Sequence, residues 1–209
     1  MQRRDFSAGL LAAGALSLAP AAFAQKAGTD YRVLSQSAPV EAPAGKIEVV
    51  EFFWYSCPHC NAFEPQLEAW SKKLPADVVL RRVPVAFRDD FVPQQRLFYT
   101  LEAMNRLDLH GKVFDAIHKE RQPLNRDDTI LAWAQKSGLD RAKFQELYAS
   151  FSVQTKARRA SQLQDAYRVE GVPALGVAGR FYVDGESAGN MGRALQIVDA
   201  LVAQVRQGR

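Results

Sequence analysis

The sequence predicts an α+β fold, a sheet with helices on its faces that is interrupted by an inserted block of helices. Three observations predict it. Apolar, β-branched and aromatic runs occur at residues 47–55 and 78–85 and return at 174–177 and 180–183. Between them, from 93 to 169, the apolar spacing is helical. The strands on either side of that block need one another to close a core, so the helices read as an insertion.

Taken in order, residues 30–35 (DYRVLS) predict a short edge strand, and Pro39, Pro43 and Gly45 mark the loop after it. Residues 47–55 (IEVVEFFWY) are almost continuously apolar, the pattern of a central strand buried on both faces. A helix follows from Cys57 to about Leu74, with Phe63, Leu67 and Trp70 as its core face and Pro75 ending it. Residues 78–85 (VVLRRVPV) make the next strand. The block from Pro93 to Val169 reads as four or five short helices. Phe144, Leu147 and Phe151 share a face there, and Asp127 or Asp128 and Asp140 are expected N-caps. The Ala178-Gly179 pair predicts a hairpin turn between the last two strands, and a closing helix runs from about Met191 to Val205.

The 209 residues carry a formal net charge of +4, spread along the chain with no Lys/Arg block, so a nucleic-acid partner is not expected. Residues 1–24 read as a cleavable signal peptide. Arg3-Arg4 give a positive start, residues 8–20 an Ala/Gly/Leu-rich apolar stretch, and Ala22-Phe23-Ala24 a small-x-small cleavage site. Arg3-Arg4-Asp5-Phe6 also resembles a twin-arginine signal, so the twin-arginine and general secretory routes are both open. Either places the mature chain, beginning at Gln25, in the periplasm.

The chain's two cysteines, Cys57 and Cys60, are separated by Pro58 and His59 at a strand-to-helix junction, the layout of a thiol-disulfide redox centre. A disulfide closing so short a loop removes little chain entropy, which argues against a structural staple. Zinc would need two further ligands, and His110 and His118 in the helical block read as helix-surface residues. No cofactor or metal is expected. At the helix N-terminus, free N–H groups and the helix dipole favour a thiolate on Cys57, Pro58 fits the first turn, and His59 adds a donor and, when protonated, a positive charge. Cys57 is expected to be exposed as the attacked sulfur, with Cys60 one turn inward as the resolving thiol. A thiolate stabilised in this way makes the disulfide more oxidising.

These residues, with Glu51-Phe52-Phe53 before the motif, Phe63-Glu64 after it and Gly171-Val172-Pro173-Ala174 opening a late strand, resemble the DsbA family of thiol-disulfide oxidoreductases. The resemblance covers nearly all of the mature chain. It implies a thioredoxin-like fold with an inserted helical domain, divided as 25–92, 93–169 and 170–209. It also implies a cis Val172-Pro173 bond against the disulfide, with the Val172 backbone offered to an extended client, and Pro65 as the proline within the active-site helix. The implied activity is donation of the Cys57–Cys60 disulfide to reduced, newly exported proteins, with reoxidation by a DsbB-type, quinone-linked membrane partner. The alternative is a disulfide isomerase or reductase of the same superfamily. No dimerisation segment is visible between Gln25 and Ile47, so a monomer is expected.

Glu51 is a lone carboxylate in an apolar strand, and its expected partner is Arg82, where members of the family often carry Lys. Two readings of Glu51 stand side by side: a proton acceptor or relay for Cys60, and a purely structural ion pair. Glu64, four residues past Cys60, is either a second tuning group or a solvated helix residue.

Overall fold

A computed structural model describes residues 25–208, and the expected signal peptide lies outside them. Among the described residues, five strands form one mixed sheet: β1 (Arg32–Val33), β2 (Ile47–Phe53), β3 (Val78–Pro84), β4 (Ala174–Val177) and β5 (Phe181–Asp184), in the order β1-β5-β4-β2-β3. β2 runs parallel to β3 and antiparallel to β4, so it is a central strand, and every one of its residues is buried. The short strand expected at 30–35 forms and pairs with β5 at the sheet edge.

Eight α-helices accompany the sheet among the described residues. α1 (Pro58–Ser71) follows β2, and α2 to α6 lie between β3 and β4 as Val92–Ala103, His110–His118, Asp127–Lys136, Arg141–Ala149 and Phe151–Tyr167. α7 (Gly185–Ala188) and α8 (Met191–Gln207) close the chain. The side chains of Ile47 and Val49 join α1 and α8 in one core, with Phe63, Leu67, Val198 and Leu201. Val50 and Phe52, pointing the other way, join the inserted helices around Leu97, Leu101, Phe114 and Tyr167. Strand alternation thus divides β2 between two cores.

The insertion is less regular than its spacing implies. The N-cap of α4 is Arg126 in extended geometry, and Asp127 and Asp128 occupy the first turn instead, where their charges still suit the helix dipole. Asp140 does cap α5, accepting from the Lys143 N–H. Phe151 is 77% exposed, because Ser150 breaks the chain and caps a new helix, so the face of Phe144 and Leu147 is not continued. The hairpin turns through Ala178 and Gly179, both at positive φ, with the Arg180 N–H donating to Val177 O. Val177 pairs with Phe181, leaving Arg180 as a third loop residue. α7, with its Asp184–Ser187 capping box, carries too few residues to show a period and was not expected.

Candidate active site

The strand-to-helix junction sets the position of both thiols. Cys57 is the N-cap of α1 in extended geometry, Pro58 takes the first turn, and the Asn61 N–H donates to the Cys57 carbonyl to begin the helical ladder. Pro65 lies within the same helix, as expected. Both cysteines are free. Cys60 is fully buried, and Cys57 is only 7% exposed, which corrects the expectation of an exposed sulfur. The reason is the segment facing it. Val172-Pro173 is cis, at the entry to β4, and the Cys57 thiol donates to the Val172 carbonyl at 3.4 Å. Pro58 and His59 are exposed beside this junction, and His59 shares a groove with Gly171, Val172, Pro173 and Tyr182.

The environment separates the two sulfurs. The Cys57 pKa is lowered to about 6, first because the Cys60 thiol donates to its thiolate. Burial works against this, while the backbone N–H groups of Cys60 and His59 and the charge of His59 add to it. The charge of His59 therefore ranks below the neighbouring thiol and the backbone N–H groups. Burial pushes Cys60 strongly upward, and a charge on Cys57 or Glu51 pushes it further. One thiol is poised to ionise and the other to keep its proton.

Beneath the thiols lies a buried charge cluster. Strand register places Glu51 on β2 opposite Arg82 on β3, and the Arg82 Nε lies 3.2 Å from Glu51 Oε2. The Arg82 Nη2 also contacts Glu64 at 2.6 Å and Glu68 at 3.3 Å, both from α1. Glu64 is therefore a member of the cluster, which overturns its reading as a solvated residue. Glu51 is fully buried, and burial together with the charge of Glu64 raises its pKa to about 8 against the pull of Arg82. Burial also pushes Glu64 upward, but His110 and Arg82 outweigh it and leave its carboxyl below the ordinary range.

The sequence reading missed the histidines. His110 is 6% exposed rather than a surface residue, with Nδ1 at 2.8 Å from the Tyr55 hydroxyl, and His118 is half-buried with Nε2 at 2.8 Å from the Tyr55 carbonyl. A signal was available: His110, Phe114 and His118 recur every fourth residue, and Phe114 is a core position. Trp54, three residues before Cys57, is stacked on Phe91 with ring centroids 3.9 Å apart. Among the described residues, no group of three or more His, Cys, Asp or Glu side chains is placed to hold a metal ion.

A family model of DSBA-like thioredoxin domains matches residues 48–196. The chain is similar to the thiol:disulfide interchange protein DsbA of Bordetella parapertussis, at 48% identity over 99% of this chain and all of the relative. It is also similar to the protein of that name from Pseudomonas aeruginosa, at 40% identity over 99% of this chain and 98% of the relative. The crystal structure of Pseudomonas aeruginosa DsbA superposes with a TM-score of 0.83 at 42% identity, covering 88% of this chain and 96% of that one. The crystal structure of the oxidoreductase DsbA from Xylella fastidiosa gives a TM-score of 0.78 at 31% identity, covering 85% of this chain and 96% of that one.

Proposed function

The chain belongs to the DsbA family and is a thiol:disulfide oxidoreductase, and from that premise we propose how its own residues carry the exchange and where it acts. In the oxidised protein a client thiolate attacks Cys57 Sγ, the Cys57–Cys60 bond breaks, and the electron pair leaves on Cys60. Cys60 is too deeply buried to remain a thiolate, so it takes a proton, and Glu51, which holds one near neutral pH, is the donor beneath it. The client's second thiolate then attacks the client sulfur of the mixed disulfide and expels Cys57. That leaving group is stable because its pKa is about 6. The client ends with a disulfide, and the protein ends as the dithiol.

Arg82 does not give up its proton, so it balances charge around Glu51 and takes no part in the transfer. Val172 lends its backbone to an extended client, Pro173 holds that segment against the thiols, and His59 borders the same groove. Pro58 fixes the first turn that keeps Cys57 at the N-cap. The protein acts as a monomer in the periplasm on newly exported, reduced proteins. A DsbB-type quinone-linked membrane oxidase restores the disulfide by accepting its electrons.

The observation that carries this reading is the placement of the Cys57 sulfur at a helix N-cap, facing the Val172 carbonyl beside the cis proline. Mixing the oxidised protein with a reduced, unfolded two-thiol client tests it. One client disulfide is expected for each pair of protein thiols that appears, Cys57→Ser should abolish the reaction, and Cys60→Ala should trap a mixed disulfide on Cys57 when challenged with an oxidised client. Retained client oxidation by Cys57→Ser would refute the assignment.

A further inference from the structure

The insertion delivers to the charge cluster a side chain for which the exchange steps have no role. His110 begins α3 and is boxed by the rings of Phe53, Phe98 and Phe114. A buried imidazole must satisfy two nitrogens. Nδ1 is 2.8 Å from the Tyr55 hydroxyl, and Nε2 is 3.6 Å from Glu64 Oε2, just beyond hydrogen-bond distance. Both Nε2 and Glu64 Oε2 are buried without another hydrogen-bond partner among the described residues. Burial holds the ring neutral near pH 7. A carboxylate can only accept, so the ring proton belongs on Nε2; Nδ1 is then an acceptor, and the Tyr55 O–H donates to it. The groups lie in sequence: the Tyr55 O–H donates to His110, the His110 Nε2–H faces one oxygen of Glu64 at 3.6 Å, the other oxygen of Glu64 accepts from Arg82, and the Arg82 Nε forms an ion pair with Glu51 at 3.2 Å without hydrogen-bond alignment.

Arg82 faces the carboxylates of Glu51, Glu64 and Glu68, of which Glu68 also pairs with the exposed Lys72 at 3.5 Å. Glu64 decides how much of the guanidinium field reaches Glu51. Ionised and seated on Arg82, it both draws that cation away and repels a negative charge on Glu51. We propose that His110 is a positioning residue for the thiol exchange: its Nε2–H holds Glu64 ionised on Arg82, and so keeps Glu51 in the proton-bearing form beneath Cys60. This rests on the reading that Glu51 exchanges a proton with Cys60.

The groups facing these contacts from the packed elements are Tyr55 after β2, Glu51 on β2, Arg82 on β3, and Glu64 and Glu68 on α1, with Lys72 paired to Glu68 at the solvent side. Asp108, Lys112, Asp115 and Lys119 line the far side of the groove over Glu64. Of these, Asp108 pairs with Arg106 at 2.9 Å and Asp115 with Lys119 at 2.7 Å, in solvent-screened positions. The insertion's buried polar contact on Glu64 is therefore His110.

The test titrates the buried carboxyl of the reduced, mature-length protein by its infrared carbonyl band and compares the pH profile of client oxidation. The band should vanish in Glu51→Gln, which identifies it, and in the unaltered protein it should be lost with a midpoint of about 8. His110→Phe fits the aromatic box but removes the N–H, and it should lower the midpoint by about one pH unit or more, with the client-oxidation profile moving the same way. His110→Gln, which restores a donor, should recover most of the shift. Glu64→Gln removes the repelling charge and should also lower the midpoint, which keeps the proposal testable if His110→Phe does not fold. An unmoved midpoint in folded His110→Phe or in Glu64→Gln, or equal shifts in the Phe and Gln variants of His110, would overturn the proposal while leaving Glu51 as the proton donor. If Glu51→Gln leaves the client-oxidation profile unchanged, the premise itself fails and the proposal falls with it.

Discussion

Cys57 ionises early because its surroundings offer more to a thiolate than to a thiol. The neighbouring Cys60 S–H is the largest contributor, ahead of the backbone N–H groups and the His59 charge, and burial opposes them all. Alkylation of the reduced protein should therefore rise through a midpoint of about 6. Cys60→Ala should move that midpoint upward, and an unchanged midpoint would show that the Cys60 thiol is not the donor. Glu51 leaves a different trace, in stability. Its pKa is raised to about 8, so between its ordinary value of 4.5 and about 8 the native chain binds a proton that the unfolded chain does not. Its stabilising contribution is complete below 4.5 and is lost as pH rises to about 8. Denaturant unfolding of Glu51→Gln should show a flatter pH dependence over that window than the unaltered protein, and identical slopes would count against a neutral, buried Glu51. At this scale the thiols and the Glu51–Arg82 pair were legible in the sequence, because a short motif and a strand register fix them locally. The burial of Cys57 was not, because the Val172 segment that covers it is 115 residues away.

At the scale of elements, the Tyr167 ring at the end of α6 packs directly on β4. Tyr167 lies so close to Gly176 that a Cβ there would fall 2.4 Å from Cε1, and the Gly179 N–H donates to the Tyr167 hydroxyl at 3.0 Å. Gly176→Ala forces ring or strand to shift, at an expected cost of about 1–3 kcal/mol. Tyr167→Phe strands one buried N–H and should cost about 1–3 kcal/mol. Chemical denaturation of both variants checks this, and an unaffected Gly176→Ala would mean that the ring has room to move. Because β4 carries Pro173 at its entry, the same contact steadies the wall facing Cys57. Strong periodic or continuously apolar elements, such as β2 and α8, were legible from pattern alone. Helix starts in the insertion were less so: Asp127 and Asp128 have the right chemistry for a cap, but Arg126 holds the capping position.

At the scale of the whole molecule, the inserted helices reach the thiol-bearing helix as well as covering the sheet. His110 and His118 hold Tyr55 two residues before Cys57, and His110 meets Glu64 on the catalytic helix. Sequence patterns placed α1 and the helical block but read His110 as a surface residue, because docking of the insertion onto α1 brings together residues distant in the chain. The consequence for redox poise belongs to the assembled molecule. A stabilised Cys57 thiolate favours the dithiol and makes the disulfide an oxidant. The most direct test is equilibration of the intact protein with glutathione redox buffers, read by the fluorescence of Trp54 beside the motif and checked by thiol counting. The expected reduction potential lies close to the value known for DsbA, about −120 mV, and a potential close to that of thioredoxin, about −270 mV, would contradict the assignment as a disulfide donor.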